Sequence, residues 1–500
     1  MPERPPFKDL YFGKTDSRNE YAHDPEDFVR SFVDLKSITG QIVDGERTLI
    51  LGPKGTGKSA LAWYVVATGS GSDHLATVVD ATSLPLAEIP QLETGQPAGP
   101  DRTVTAWKFI LLANYLALLL TDQSAQLSPM NEIKRVVRLL RDHGLVGDAE
   151  GKAFLSVSKS TIQVPIPKVG SVYKRESTAK LGVFALVPYL QKWANEARSA
   201  NRHVLFLDGL DSIFLNDPKY DESLSSLTQA AYSLNQEFRR EGSSGSIALL
   251  LRNDVFGRVA LTVPDSQKMR DDFGAELDWR ILSGAAGARA PLVRLANLKA
   301  AHASGRESLD VLAYFPKDIE LGGSGRAPTW VPVLRYLLNL TRHTPRDFLR
   351  LLEEIRRVEE EEIFPPSREE LRKDVVREGV LRYANNYFVG AIRNEFAGAE
   401  IGAEVTRAAL ACLQGGGRQQ FTAADLRGRF KDHGICDRAS QDSLLRMFFF
   451  AGAIGNVSAQ KNSYLQFYHR RDDADVYLGG KLMLHNALVH AWSIPFDGRA

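Results

Sequence analysis

One stretch constrains this chain more than any other: RTLILGPKGTGKSALAWYVVA at residues 47–67. TLIL is an apolar run of strand type, GPKGTGKS is a glycine-rich turn, and SALAWYVVA has helical composition. The turn matches G-x-x-x-x-G-K-[ST] through Gly52, Gly57, Lys58 and Ser59, with Gly55 as a third glycine. Glycines let a loop curl tightly enough to point backbone N–H groups inward, and the helix behind presents its positive end to an anion. Gly52, Pro53, Lys54, Gly55, Thr56, Gly57, Lys58, Ser59 and Ala60 are therefore expected to wrap the phosphates of a nucleoside triphosphate. Lys58 would sit between the β- and γ-phosphates, and the Ser59 hydroxyl would bind Mg2+.

A second motif supports the first. In HVLFLDGLD four apolar residues lead to Asp208, a carboxylate at a strand's end suited to holding Mg2+ through water. The next residue is Gly209, so no acid stands beside Asp208 to polarise the attacking water. Two expectations stand open: Asp211 polarises the water instead, or hydrolysis is slow. One helix later, the strand SIALLL ends in Arg252, Asn253 and Asp254. Asn253 is the first choice for sensing the γ-phosphate there, and Arg252 the second.

Apolar strands alternating with helices predict an α/β fold with a parallel sheet covered on both faces. HVLFLD and SIALLL are two of these strands, TVVDATSL from Thr77 is another, and PLVRL from Pro291 is expected to add one more. Residues 1–10 read as a loose arm. DPEDFVRSFVDL reads as a helix capped by Asp24 or Asp27, with Phe28, Phe32 and Leu35 on one face. KAFLSVSKSTIQVPIPKVGSVYKRES suggests a small β insertion. At 500 residues the chain is too long for one core, so several domains are expected. The formal net charge of +1 gives no global pull toward nucleic acid or anionic lipid. The two cysteines, Cys412 and Cys436, cannot form a disulfide framework and lack zinc-site spacing. The longest apolar run, FILLANYLALLL, is about half of a membrane span, so a cytoplasmic protein without a membrane partner is expected.

In this order the motifs resemble those of the AAA+ and STAND P-loop ATPases, over roughly residues 10–360. They are closer still to a bacterial group of stand-alone P-loop ATPases that share an FGKTD-like segment, an LR-x-D-[IV]-F strand and an RDF-type lid. YFGKTD, GPKGTGKS, LRNDVF and TPRDFLRLL occur here in that order. The resemblance implies ATP, with base contacts from Phe12 and Gly13 and with Lys14 nearby. It implies that Arg346 reaches the γ-phosphate from a helical lid. It divides the chain into an arm and adenine segment at 1–40, a P-loop core at 41–295 with an insertion at about 122–182, a lid at 296–364 and a winged-helix-like domain at 365–500. Ring-forming relatives use an arginine finger, for which Arg280 and then Arg270 are candidates should the chain form homo-oligomers; the more economical role for both is a surface ion pair.

FTAADLRGRFKDHGICDRASQDSLLRMFFFAGAIGNV has the order helix, turn, helix, strand. Arg427, Arg429, Lys431, Arg438 and Arg446 would face DNA phosphates, but Asp425, Asp432, Asp437 and Asp442 are interleaved and dilute the field. Packing against a protein partner or the nucleotide domain is the favoured role for this region. His485 and His490 are spaced poorly for a shared metal. The leading expectation is an ATP-driven switch with ATPase activity, by analogy in phage defence or DNA transactions. The alternative is a DNA-binding regulator that holds ATP with little turnover.

Overall fold

The computed structural model describes residues 4–69, 71–83, 100–142, 146, 183–210, 218–263, 265–280, 290–321, 329–361, 369–396, 402–457, 465–469 and 475–496. The chain is mixed α/β and forms two compact units, Asp34–Asp278, and Met1–Val33 together with Trp279–Ala500.

The Asp34–Asp278 unit is built on five strands: β1 (Leu49–Leu51), β2 (His74–Asp80), β3 (Arg202–Asp208), β4 (Gly245–Leu251) and β5 (Gly274–Glu276). All are parallel, in the order β2-β3-β4-β1-β5. Val204 to Leu207 and Ile247 to Leu251 are buried without interruption, as strands covered on both faces require. Around them lie α1 (Lys58–Gly69), α2 (Pro100–Leu119), α3 (Met130–Asp142), α4 (Val187–Glu196) and α5 (Pro218–Glu241). Most of FILLANYLALLL lies in α2, where Trp107, Leu112, Tyr115 and Leu116 are buried. The Trp107 indole donates to Ser223 Oγ at 3.2 Å and ties α2 to α5. Leu224, Leu227, Ala231, Leu234 and Phe238 of α5 recur three and four apart and are all buried. Among the described residues no helix is long and apolar enough to cross a membrane.

A buried polar clamp fixes the amino end of β3. His203 Nε2 lies 2.9 Å from Asp122 Oδ2, and Asp122 also accepts from Ser199, Ser124 and Asn201. Burial would raise the Asp122 carboxyl, but these hydrogen bonds outweigh it and bring it down to about 2. Burial holds His203 below its ordinary value and neutral, although Asp122 works in the opposite direction.

In the other unit, Phe7 packs on Phe12, Tyr314 and Phe315 with ring centroids 5.4 to 5.7 Å apart. Residues 4–10 are thus anchored to the chain beyond Trp279 instead of forming a loose arm. There follow α6 (Pro291–Ala303), an antiparallel hairpin of β6 (Asp318–Leu321) and β7 (Thr329–Pro332), α7 (Pro345–Glu361) and α8 (Lys373–Arg382). The last part contains α9 (Ala403–Gln414), β8 (Gln420–Thr422), α10 (Ala423–Asp432), α11 (Arg438–Phe450), β9 (Ile454–Val457), β10 (Leu465–Gln466), β11 (Lys481–Leu484) and α12 (Asn486–Ala491). Its four strands form an antiparallel sheet in the order β10-β9-β11-β8.

Several expectations are corrected. PLVRL is the first turn of α6, with Pro291 at its start and Leu292, Val293, Leu295, Ala296, Lys299 and Ala300 on the buried side. The fifth strand is instead GAE at β5, which has little strand propensity and is held by its pairing with β1. DPEDFVRSFVDL is helical only over Pro25–Arg30, capped by Asp24, so Phe32 and Leu35 lie beyond the helix. WVPVLRYLLNL begins as β7 before turning helical at Val333. The expected β insertion at 152–177 lies outside the described residues.

Asp122 gives a pH prediction. Its lowered carboxyl contributes stability that is present above the ordinary value of 3.8 and lost as pH falls toward 2. His203 adds a separate loss below 6.5, because only the unfolded chain takes up that proton readily. Asp122→Asn should flatten the lower limb in urea midpoints measured against pH; an unchanged limb would remove the clamp from this account.

Candidate functional site

Parallel pairing brings the carboxyl ends of β1 to β5 to one edge, where open α/β sheets bind ligands. β1 runs through Leu51 into the loop from Gly52 to Ser59, and α1 begins at Lys58. Gly55 and Gly57 have φ of +84° and +93°, a region that L side chains rarely adopt. Thr56 Oγ1 donates to the Pro53 carbonyl at 2.8 Å and closes the curl. The Lys58 ammonium is buried and folds back over the loop, donating to the carbonyls of Gly52 at 2.9 Å and Pro53 at 3.2 Å.

Asp208 is the last residue of β3, its Oδ1 accepting from Gly209 N at 2.8 Å. β3 and β1 both flank β4, so the Asp208 strand end lies about 10 Å from the β1 strand end along the edge. Beyond β4, Arg252 precedes the short helix Asn253–Val259 and grips Asp254 with Nε and Nη2, both at 2.9 Å. Burial would raise the Asp254 carboxyl; the Arg252 guanidinium, and with it the Lys58 ammonium, hold it below 3.8. The loop lysine and the end of β4 thus share one electrostatic neighbourhood. Asn253 opens the helix beside them.

One acid at this edge was missed in the sequence. Asp80 ends β2 and is in register with Asp208. Its Oδ1 accepts from Thr82 N at 2.9 Å and Thr82 Oγ1 at 2.6 Å. The signal was present in TVVDATSL, an apolar run ending in an acid like VLFLD, but the strand was read without regard to its last residue. Asp211 lies outside the described residues.

Phe12, Gly13 and Arg346 belong to the other compact unit. Phe12 is 1% exposed, so its ring is spent on the core. Gly13 has φ +86°, and a Cβ there would stand 3.0 Å from Glu20 Oε1. Glu20 accepts from Lys299 Nζ at 2.5 Å, with Ser31 Oγ 3.2 Å from the same ammonium. Arg346 lies half-buried in the first turn of α7, beside the buried Asp347. Asp347 accepts from Arg342 at 2.8 and 3.1 Å and from the Tyr387 hydroxyl at 2.8 Å.

Arg270 is bound to Glu276 within its own unit, and Arg280 is half-buried. Several basic residues of the C-terminal part have intramolecular partners. Asp442 takes both Arg427 and Arg438, Asp475 lies 3.7 Å from Arg446, and Arg429 donates to the Cys412 carbonyl. Lys431 is exposed. Asp425 completes a capping box with Thr422 at the start of α10, and Asp437 caps α11. His485 caps α12, and burial with Arg377 pushes His490 down to about 4. Among the described residues, no group of three or more His, Cys, Asp or Glu is arranged to hold a metal. No protein-family model and no curated protein sequence matches the chain.

The Glu20–Lys299 pair has side chains only 9% and 8% exposed, so Glu20→Ala strands a buried ammonium. It should cost about 3 kcal/mol in urea unfolding, and a Glu20→Met, Lys299→Met double variant should recover most of that. Equal loss in both variants would show that packing, not the charge pair, is responsible.

Proposed function

We propose that this chain is a Mg-ATP-binding P-loop ATPase that works as a nucleotide-dependent switch. The observation that carries the reading is the Lys58 ammonium, folded over a loop with two left-handed glycines on the sheet edge that also bears Asp208. A triphosphate would replace the two neutral carbonyls with anionic oxygens, which make much stronger partners for a buried ammonium. The donors fit the metal: the Ser59 hydroxyl and the Asp208 carboxylate are hard oxygens of the kind Mg2+ prefers, and the ion would supply counter-charge to the phosphates. The strand order, with β1 inside the sheet and the acidic strand one removed from it, agrees with this reading. Arg252 or Asn253 would sense the γ-phosphate, with Arg252 now the better choice because its guanidinium already shares an acid with Lys58. The order α9, β8, α10, α11, β9, β10, β11 supports a winged-helix reading of the C-terminal region. Its ion-paired arginines favour a packing role over an extended DNA contact.

Lys58→Ala should weaken ATP binding at least about 100-fold in calorimetry while the thermal melt of the free protein stays close to the parent. Micromolar affinity retained in this variant would refute the site. Asp208→Asn should keep nucleotide binding but lose its Mg2+ dependence. Steady phosphate release by the parent protein distinguishes the switch from an ATP-bound regulator without turnover.

A further inference from the structure

We propose that Asp80 is the catalytic carboxylate of this site, the group that orients the attacking water in place of the acid missing after Asp208. The inference rests on the ATPase reading and deepens it. Three observations converge. Asp80 and Asp208 end neighbouring parallel strands in direct register, and residues so paired project from the same face of a sheet. They therefore stand side by side, separated by one inter-strand spacing of about 4.8 Å. The Asp80 carboxylate is also oriented: Thr82 donates to its Oδ1 through both backbone N and hydroxyl.

The third observation explains the sequence. Gly209 has φ +78°, and a Cβ built on it would lie 2.9 Å from Asp80 Oδ1 and 3.0 Å from Thr82 Cγ2. A side chain at position 209 would need the left-handed backbone that L residues rarely adopt and would press on Asp80 Oδ1 and Thr82 Cγ2, so the present Asp80–Thr82 arrangement suits a glycine there. The Asp-Gly pair at 208 and 209 is then no sign of a site that has lost its base. Gly209 is the residue that admits a carboxylate from the adjacent strand.

The step balances as follows. The water oxygen forms a bond to the γ-phosphorus while the bond to the β–γ bridging oxygen breaks, and ADP leaves with that electron pair. The water proton passes to Asp80 and from there to solvent. Asp208 keeps its separate role toward the metal.

The test compares Asp80→Asn, Asp211→Asn and Gly209→Ala in the full chain. Three readouts are followed: phosphate release, ATP affinity by calorimetry, and Mn2+ affinity by electron paramagnetic resonance in the presence of ADP. Asparagine retains the Oδ1 acceptor for Thr82, so Asp80→Asn should stay folded. It should lose turnover at least about 100-fold while ATP and Mn2+ affinities stay within about threefold. Asp211→Asn should turn over like the parent. Loss of turnover in Asp211→Asn with parental turnover in Asp80→Asn would move the water-activating role to Asp211 and overturn the assignment. Gly209→Ala, which forces Asp80 aside, should lose turnover with Lys58 and Asp208 intact. Parental turnover in Asp80→Asn overturns the assignment, as does a loss of Mn2+ affinity, which would make Asp80 a metal ligand instead. A parent protein that binds no ATP refutes the proposed function itself, a result distinct from either of these.

Discussion

Five strands running the same way leave every carboxyl end on one edge, and the polar groups of the Asp34–Asp278 unit are arranged by that fact. Within β3 and β4 the interior is apolar because helices cover both faces. At the carboxyl ends polar groups return: Asp80 after Val79, Asp208 after Leu207, Arg252 after Leu251, and the glycine loop after Leu51. Hydrophobic burial fixes the strands, and the strands fix the spacing of the polar groups. A loop that tolerates left-handed backbone at Gly55 and Gly57 can then bring a lysine amine back over its own carbonyls.

The other unit handles charge differently. Arg342, Asp347 and Tyr387 form a buried network at the start of α7, and Glu20 with Lys299 forms another beside Gly13. Buried charges persist only when paired, so these residues are committed to structure and are costly to separate. The same economy governs the C-terminal surface, where arginines that look available for phosphate in sequence are held by Asp442, Asp475 and a backbone carbonyl. Within TPRDFLRLL it is Asp347, not Arg346, that is locked into the core.

Local rules were legible where the chain itself supplied both pattern and punctuation. The strand–turn–helix at residues 47–67, the buried strand ending in Asp208 and the long helix α5 follow from periodicity and glycine placement alone. The reading failed where packing decided. GAE became β5 because β1 had an open edge beside it. PLVRL is helical because the apolar residues of Pro291–Ala303 recur at helical spacing along the whole segment. Packing also decided where the Phe12 ring lies: it is buried against Phe7.

The sequence by itself determined the glycine-rich loop between strand and helix, the alternation of apolar strands with helices and the acid at position 208, because each depends on neighbours within a few residues. Tertiary structure alone decided which strands lie side by side, and therefore that Asp80 stands against Asp208 and crowds position 209. Strand order is set by how helices cover a sheet, an interaction between segments more than a hundred residues apart. No local pattern records which two strand ends will meet.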